Sequence, residues 1–184
     1  MDKKLLSITA LATIFCTLFL PEISIAEDLI IGTAAPFFKV ESGDDKILTL
    51  DMIKGKIIVI FYEAKDVVKK NRKLKDELNK FYFEQLDLVK KLIIRLPVIN
   101  CQGAFWPFTG IWKSKLRQNS KKEGMTIYGD WDGKMNSCYK MKDNESNVII
   151  IDQKGIIRYI ASGKVEDTEI SKIKELLKRV GNEK

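Results

Sequence analysis

The stretch KIIVIFY, residues 56–62, is almost continuously apolar and rich in β-branched side chains. A strand with one face in water alternates apolar and polar residues, whereas a strand covered on both faces forms an unbroken apolar run. We therefore predict that residues 56–62 form the central strand of a sheet that has helices on both faces.

The segments that follow alternate between helical and extended patterns. Apolar side chains at helical spacing, with lysines on the opposite face, predict a helix from Asp66 to about Phe83. Residues 92–100 form a second β run, in which Pro97 indicates a sheet edge or a strand end. Further on, the patterns predict a helix at residues 109–120, a short strand at 125–128 and a short helix at 134–141.

The C-terminal third has the clearest pattern. The runs at residues 148–152 and 156–160 flank a Gln-Lys-Gly turn and predict a β-hairpin. Residues 46–50, near the other end, predict a short strand after a Gly-Asp-Asp turn. This order of elements predicts an α/β fold with a central mixed β-sheet covered by helices on both faces. A final amphipathic helix is predicted from Ile170, Ile173, Leu176, Leu177 and Val180.

The N-terminus has the layout of an export signal. Two lysines precede an apolar run at residues 5–20, and small residues occupy the −3 and −1 positions of a cleavage site after Ala26. The run is shorter than the ~20 residues that cross a bilayer, which favours cleavage over an uncleaved anchor. We expect a signal peptide of residues 1–26 and one domain of residues 27–184, periplasmic or secreted, without a stable membrane anchor.

The composition excludes several classes of function. The chain has 184 residues, a formal net charge of +7 and no histidine. Histidine is the commonest general base and the commonest zinc ligand, so we predict neither a metal nor a cofactor. An exported protein rarely meets nucleic acid, and lysines laced with acidic residues are typical of a solvated surface, so we expect no nucleic-acid partner.

Three motifs, correctly ordered, resemble the redoxin branch of the thioredoxin superfamily. IGTAAPFF at residues 31–38 is similar to its G-x-x-A-P-x-F opening. LTL at 48–50 with KGK at 54–56 resembles its L-L-G-K segment, and IDQKGI at 151–156 its I-D-x-x-G-x-I hairpin. The resemblance implies a thioredoxin-like fold.

The second half resembles one family within that superfamily more closely. Asn100, a helix containing Gly110, the turn at residues 130–133 and DNESNVIIIDQKG at residues 143–155 are similar to the YtfJ family of small periplasmic proteins. This resemblance implies a periplasmic location and a thioredoxin-like fold without the redox cysteine pair.

The resemblance also shows where redox chemistry is missing. Redox-active members carry Cys-x-x-Cys where the central strand meets the next helix, and the equivalent place here holds Asp66 and Lys69. Neither side chain exchanges disulfides, and we expect Asp66 to cap the helix and to pair with Lys69. The cis-proline position of the superfamily falls at Ser146, where a cis bond would cost about 3 kcal/mol.

Cys101 and Cys138 are the cysteines of the expected mature chain. Parallel strands could bring both to the same end of the sheet, which leaves three interpretations open: a structural disulfide worth about 4 kcal/mol, two separate thiols, or a redox pair at a displaced site. Neither cysteine lies at a predicted helix start, where a thiol pKa is lowered.

An aromatic cluster follows the second β run, and two interpretations of it are open. It either packs into the core at the start of a helix or forms an apolar contact patch for a partner or ligand. The cluster consists of Phe105, Trp106, Phe108 and Trp112.

These observations together predict an exported thioredoxin-fold protein that is a non-catalytic binding or accessory protein. Its partner is an unknown protein or small ligand. The alternative is a thiol-disulfide oxidoreductase or peroxiredoxin-like activity that uses Cys101 and Cys138. A third hypothesis is a small-molecule or peptide binder in which the aromatic cluster forms a pocket wall.

Overall fold

The computed structural model describes residues 29–182, so the predicted signal peptide lies outside the described residues. The strands are β1 (Lys39–Ser42), β2 (Ile47–Thr49), β3 (Ile57–Glu63), β4 (Ile93–Asn100), β5 (Tyr128–Asp130), β6 (Ser146–Ile151) and β7 (Ile157–Ser162). The α-helices are α1 (Arg72–Glu84), α2 (Asp87–Lys90), α3 (Thr109–Glu123), α4 (Lys134–Cys138) and α5 (Asp167–Asn182), and a short 3-10 helix covers Leu50–Ile53.

The strands form one mixed sheet in the order β2-β1-β5-β4-β3-β6-β7. β3 pairs in parallel with β4 and antiparallel with β6, and all of its residues are buried. This arrangement confirms the prediction that residues 56–62 form the central strand, and it confirms the predicted thioredoxin-like α/β architecture.

Side chains of β3 alternate between two apolar cores, one on each face of the sheet. Ile58 and Ile60 pack with Met135 of α4 on one face. Ile57 and Val59 pack on the other face beneath α1 and α5. Full burial of each such side chain stabilises the fold by roughly 1.5–3 kcal/mol, so both layers hold the sheet in place. The two helices contribute Leu74, Leu78 and Phe81 from α1, and Ile170, Ile173, Leu177 and Val180 from α5.

The helix after β3 begins at Arg72 and not at Asp66, so the predicted start is wrong. Residues 64–71 form turns instead, in which the amide of Val67 donates to the carbonyl of Ala64 and the amide of Arg72 to that of Lys69. The helix begins at Arg72 because long-range hydrogen bonds fix that start. The turns of residues 64–71 connect it to the end of β3.

Two further predictions differ from the structure, again because of contacts between residues distant in sequence. β5 begins at Tyr128, where the predicted strand was to end, because its register is set by pairing with β1 and β4. Pro97 lies inside β4, away from both strand ends, but on a stretch of β4 with a described strand on one side only. β5 pairs only with the last three residues of β4, so no described strand pairs with that side of β4 at Pro97.

Candidate functional site

A charged residue ends the apolar central strand. Glu63 is 2 % exposed, and one carboxylate oxygen accepts a hydrogen bond from the Ser146 hydroxyl at 2.6 Å. The Lys75 ammonium donates to the other oxygen at 2.6 Å and to the Val68 carbonyl at 2.8 Å, and it lies 5.3 Å from the centroid of the Phe61 ring. Both carboxylate oxygens are therefore paired, which is what keeping a charge inside a protein requires.

Asn71 connects this group to the C-terminal part of the chain. Its amide nitrogen donates to the Ser146 hydroxyl at 3.0 Å and to the Gly163 carbonyl at 2.8 Å. Its amide oxygen accepts from the Val165 backbone at 2.9 Å. Asn71 immediately precedes α1 but makes no side-chain cap bond to it, so these long-range bonds fix where the helix starts.

Asp66 and Lys69, at the positions that the resemblance gives to the redox cysteines, are both exposed on the turns of residues 64–71. Because α1 begins at Arg72, Asp66 caps no helix, and no ion pair between Asp66 and Lys69 forms within residues 29–182. The predicted cap and the predicted ion pair are wrong. This surface offers a carboxylate and an ammonium in water, and no sulfur.

Ser146, at the position that the resemblance gives to the cis-proline, begins β6 directly opposite Glu63. Within the described part of the chain the one cis peptide bond joins Trp106 and Pro107, so the bond before Ser146 is trans. The serine is buried and its hydroxyl is used twice, towards Glu63 and Asn71. This position therefore holds an internal hydrogen-bond bridge.

Cys101 and Cys138 are both free thiols, in different environments. Cys101 is fully buried, and burial, together with the nearby Asp130 carboxylate, raises the pKa of its thiol to about 12. Cys138 is exposed at the end of α4. A thiol with such a pKa is almost entirely protonated at neutral pH and is a poor nucleophile. Within residues 29–182 the candidate redox residues are therefore two separate thiols, and no disulfide joins them.

Most of the aromatic cluster lies on the surface. Phe105, Trp106 and Phe108 are 66 %, 86 % and 48 % exposed, and the Phe105 and Phe108 rings meet edge-on with centroids 5.4 Å apart. Trp112 is half-buried near the start of α3, with the Lys65 ammonium 5.7 Å from its ring centroid. Core packing is therefore the wrong interpretation for the three exposed residues, which form an apolar surface patch.

A groove runs between α1 and α3 over β3 and β4, with a cavity of about 440 Å³. Trp112 lines it and so connects the groove to the aromatic patch. The groove could not be predicted from the sequence, because it arises from the separation of two helices. Its apolar lining includes Phe61, Leu78, Pro97, Ile99, Leu116 and Ile127.

A second buried carboxylate lies on the opposite face of the sheet. Asp130, at the end of β5, accepts hydrogen bonds at one oxygen from the Tyr62 hydroxyl at 3.0 Å and from the Asn136 backbone at 2.9 Å. Its other oxygen has no hydrogen-bond partner among the described residues. Burial raises the pKa of this carboxyl, although its hydrogen bonds act in the opposite direction.

Glu63 and Asn71 of the network at the end of β3, and Arg95 of the groove lining, were not among the predicted functional residues. For Glu63 a signal exists, because a carboxylate directly follows the apolar run that forms the sheet centre. Asn71 and Arg95 carry no such signal, since their roles depend on residues distant in sequence.

The fold is that of a thioredoxin-like α/β protein, and the chain carries Asp66 and Lys69 at the positions that the resemblance gives to the redox cysteines. The sequence matches the model of a family described as "Bacterial protein of unknown function (YtfJ_HI0045)" over residues 41–180, and the chain belongs to that family. The match confirms the family resemblance deduced from the motifs.

Several solved structures that share this fold are named for thiol chemistry. A structure from Chlorobium tepidum, named as a thiol:disulfide interchange protein DsbE, has a TM-score of 0.63 and 16 % identity, covering 84 % of this chain and 100 % of that chain. A thiol peroxidase from Chromobacterium violaceum has a TM-score of 0.60 and 12 % identity over 83 % and 88 % of the chains. The thioredoxin domain of a thiol-disulfide oxidoreductase from Bacteroides vulgatus gives 0.57 and 16 % over 82 % and 99 %. At these identities the likeness concerns the fold alone.

No curated protein matches the sequence. Within residues 29–182, no group of three or more His, Cys, Asp or Glu side chains is arranged to hold a metal ion. In the same residues, no helix has both the length and the apolar character needed to span a membrane.

Proposed function

We propose that this protein is an exported thioredoxin-fold protein that acts by binding a partner or ligand and not by thiol chemistry. One observation carries the proposal: the end of β3 is occupied by a closed network of Glu63, Lys75 and Ser146. In this network every carboxylate oxygen is paired, and the surface above it holds Asp66 and Lys69 in place of cysteines. Nothing there forms or breaks a disulfide.

The environments of the two thiols also support a non-catalytic role. Catalytic cysteines are accessible and have a lowered pKa, whereas Cys101 is buried and its pKa is raised. Cys138 is accessible, but in the part of the chain that the structure describes it forms no disulfide. The arrangement therefore favours binding over oxidoreductase or peroxiredoxin-like activity.

Two adjacent surfaces support binding. Phe105, Trp106 and Phe108 expose large apolar side chains, which anchor interfaces when a partner covers them. The groove between α1 and α3 has a volume within the range of about 300–1,000 Å³ that is typical of small-molecule sites. The location of the protein follows from the signal-peptide layout of residues 1–26, which directs it to the periplasm or outside the cell.

Activity assays on the purified protein test this proposal. Insulin reduction with dithiothreitol and hydrogen peroxide consumption with a thiol reductant are compared for the wild type, Cys101→Ser and Cys138→Ser, with a thioredoxin and a peroxiredoxin as positive controls. We expect all three forms to equal the protein-free background. Turnover by the wild type that Cys101→Ser or Cys138→Ser abolishes would instead establish a thiol enzyme.

A further inference from the structure

We propose that the groove between α1 and α3 binds a single-chain anionic amphiphile, an acyl chain with a carboxylate head. This inference rests on the proposed function, since it names the class of ligand that the binding protein takes.

The body of the ligand is apolar because apolar side chains make up much of the lining of the groove. Phe61, Leu78, Pro97, Ile99 and Leu116 line the cavity. A chain of methylene groups packs against these side chains and leaves no polar group of its own without a partner.

The volume of the cavity, about 440 Å³, is within the range of about 300–1,000 Å³ that is typical of small-molecule sites and so suits a single small ligand.

The charge around the groove selects an anion. Seven basic and two acidic side chains line it. Lys75 pairs with Glu63, and Arg72 pairs with Asp76 and Glu123. The remaining five basic residues have no carboxylate partner within residues 29–182: Lys65, Lys69, Arg95, Lys115 and Lys122.

Arg95 is the anchor for the carboxylate. It lies on β4 and is half-buried, its guanidinium donates to the Asn79 side-chain oxygen, and it lies 4.2 Å and 5.5 Å from the Tyr82 and Phe83 ring centroids. Burial lowers the pKa of this guanidinium, as expected for a cation removed from water without a counter-charge. A guanidinium held by two rings and an amide is oriented in advance to donate paired hydrogen bonds to a carboxylate.

The test is calorimetric titration of the purified protein with sodium dodecanoate, octanoate and dodecyltrimethylammonium, all below their micellar concentrations. We expect saturable dodecanoate binding with one site per chain. Octanoate should bind at least tenfold more weakly, because each buried methylene contributes about fourfold. Dodecyltrimethylammonium should also bind at least tenfold more weakly, because its head is a cation.

Variants localise the site. Arg95→Gln should weaken dodecanoate binding by about tenfold or more, as for loss of a hydrogen bond to a charged group. Arg179→Gln, which removes an exposed arginine of α5 that does not line the groove, should leave it unchanged. Ile99→Phe should block the cavity, and the melting temperature of each variant shows whether it is folded.

Three results would overturn the inference: no saturable dodecanoate binding, equal affinity for the cationic amphiphile, or unchanged affinity in folded Arg95→Gln. Cosedimentation with phosphatidylglycerol vesicles but no dodecanoate binding would overturn it in favour of a membrane surface as the partner. Thiol turnover would contradict the proposed function and leave dodecanoate binding intact, whereas absent dodecanoate binding would remove only this ligand class.

Discussion

The hydroxyl of Ser146 donates a 2.6 Å hydrogen bond to the buried carboxylate of Glu63, across the antiparallel pair of β3 and β6. The two residues face each other within the protein and complete the pairing of a charge. The end of β3 therefore has an internal, stabilising role in this chain.

Lys75→Met is the first prediction, because it removes the counter-charge of Glu63. The side chains of Lys75 and Glu63 are only 22 % and 3 % exposed, and removal of one partner of a buried pair costs about 3–5 kcal/mol. The double variant Glu63→Leu/Lys75→Met should recover most of that loss, because it leaves no isolated charge. Urea unfolding of the three proteins measures both effects. A loss below about 1 kcal/mol in Lys75→Met would contradict the buried pair.

Asn71→Ala should destabilise the fold by about 2–3 kcal/mol. The substitution leaves the Val165 amide and the Gly163 carbonyl without their partners, and each buried polar group left unpaired costs about 1–3 kcal/mol. Asn119→Ala is the matched control, since Asn119 is exposed and bonds only within α3. Equal free energies of unfolding for the two variants would show that the bridge of Asn71 contributes nothing.

The free energy of unfolding should depend on pH because the Asp130 carboxyl is buried. Burial raises the pKa of its carboxyl, so the folded state binds the proton more tightly than the unfolded chain does. Its contribution to the free energy of unfolding is fully present below the unfolded pKa of about 3.9 and is lost as pH rises through the folded pKa. Measured by urea unfolding from about pH 4 to about pH 7, the stability of the wild type relative to Asp130→Asn should fall as pH rises.

Asp152 is the comparison for Asp130, because the pKa of its carboxyl is shifted in the opposite direction. Burial alone would raise the pKa of its carboxyl, but hydrogen bonds from the Ile156 amide, the Arg158 guanidinium and the Lys154 amide lower it. Its contribution is present above the unfolded pKa and is lost as pH falls through the folded pKa. The stability of the wild type relative to Asp152→Asn should therefore rise with pH in the acid range. The same trend in both pairs would contradict the assigned environments.

Thiol labelling should distinguish the two cysteines. With a maleimide at neutral pH, Cys138 of the folded protein should react at once, while Cys101 should react only on unfolding, because it is buried and its pKa is raised to about 12. Peptide mass spectrometry of native and denatured samples identifies the labelled residue. If neither cysteine reacts even after unfolding unless a reductant is added first, the two residues form a disulfide.

Gly43→Ala should separate the β1–β2 turn from α3. An added Cβ would lie 2.4 Å from the Lys113 carbonyl oxygen and 2.9 Å from Cγ of Arg117, a backbone clash that costs about 1–3 kcal/mol. Gly110→Ala is the control, because no atom lies within 4 Å of a Cβ there and alanine favours the helix by roughly 0.5–1 kcal/mol. The two variants should shift the melting temperature in opposite directions.

The central strand, the terminal hairpin and the last helix could all be predicted from the sequence, because each depends on local periodicity. The unbroken apolar run at residues 56–62 requires cover on both faces, wherever the neighbouring elements lie. The start of α1 at Arg72 and the register of β5 could not be predicted, because Asn71 and the pairing with β1 and β4 set them across long sequence distances.

The sequence by itself determined the fold class, the family and the absence of cysteines at Asp66 and Lys69. These depend on residue identity and on spacing along the chain. Only the tertiary structure decided that Glu63 is paired by Ser146 and Lys75, that Trp106 is exposed, and that Arg95 lies in a groove with no carboxylate partner among residues 29–182. Burial and charge pairing depend on which residues are close in space, and the residues that meet here are far apart in the chain.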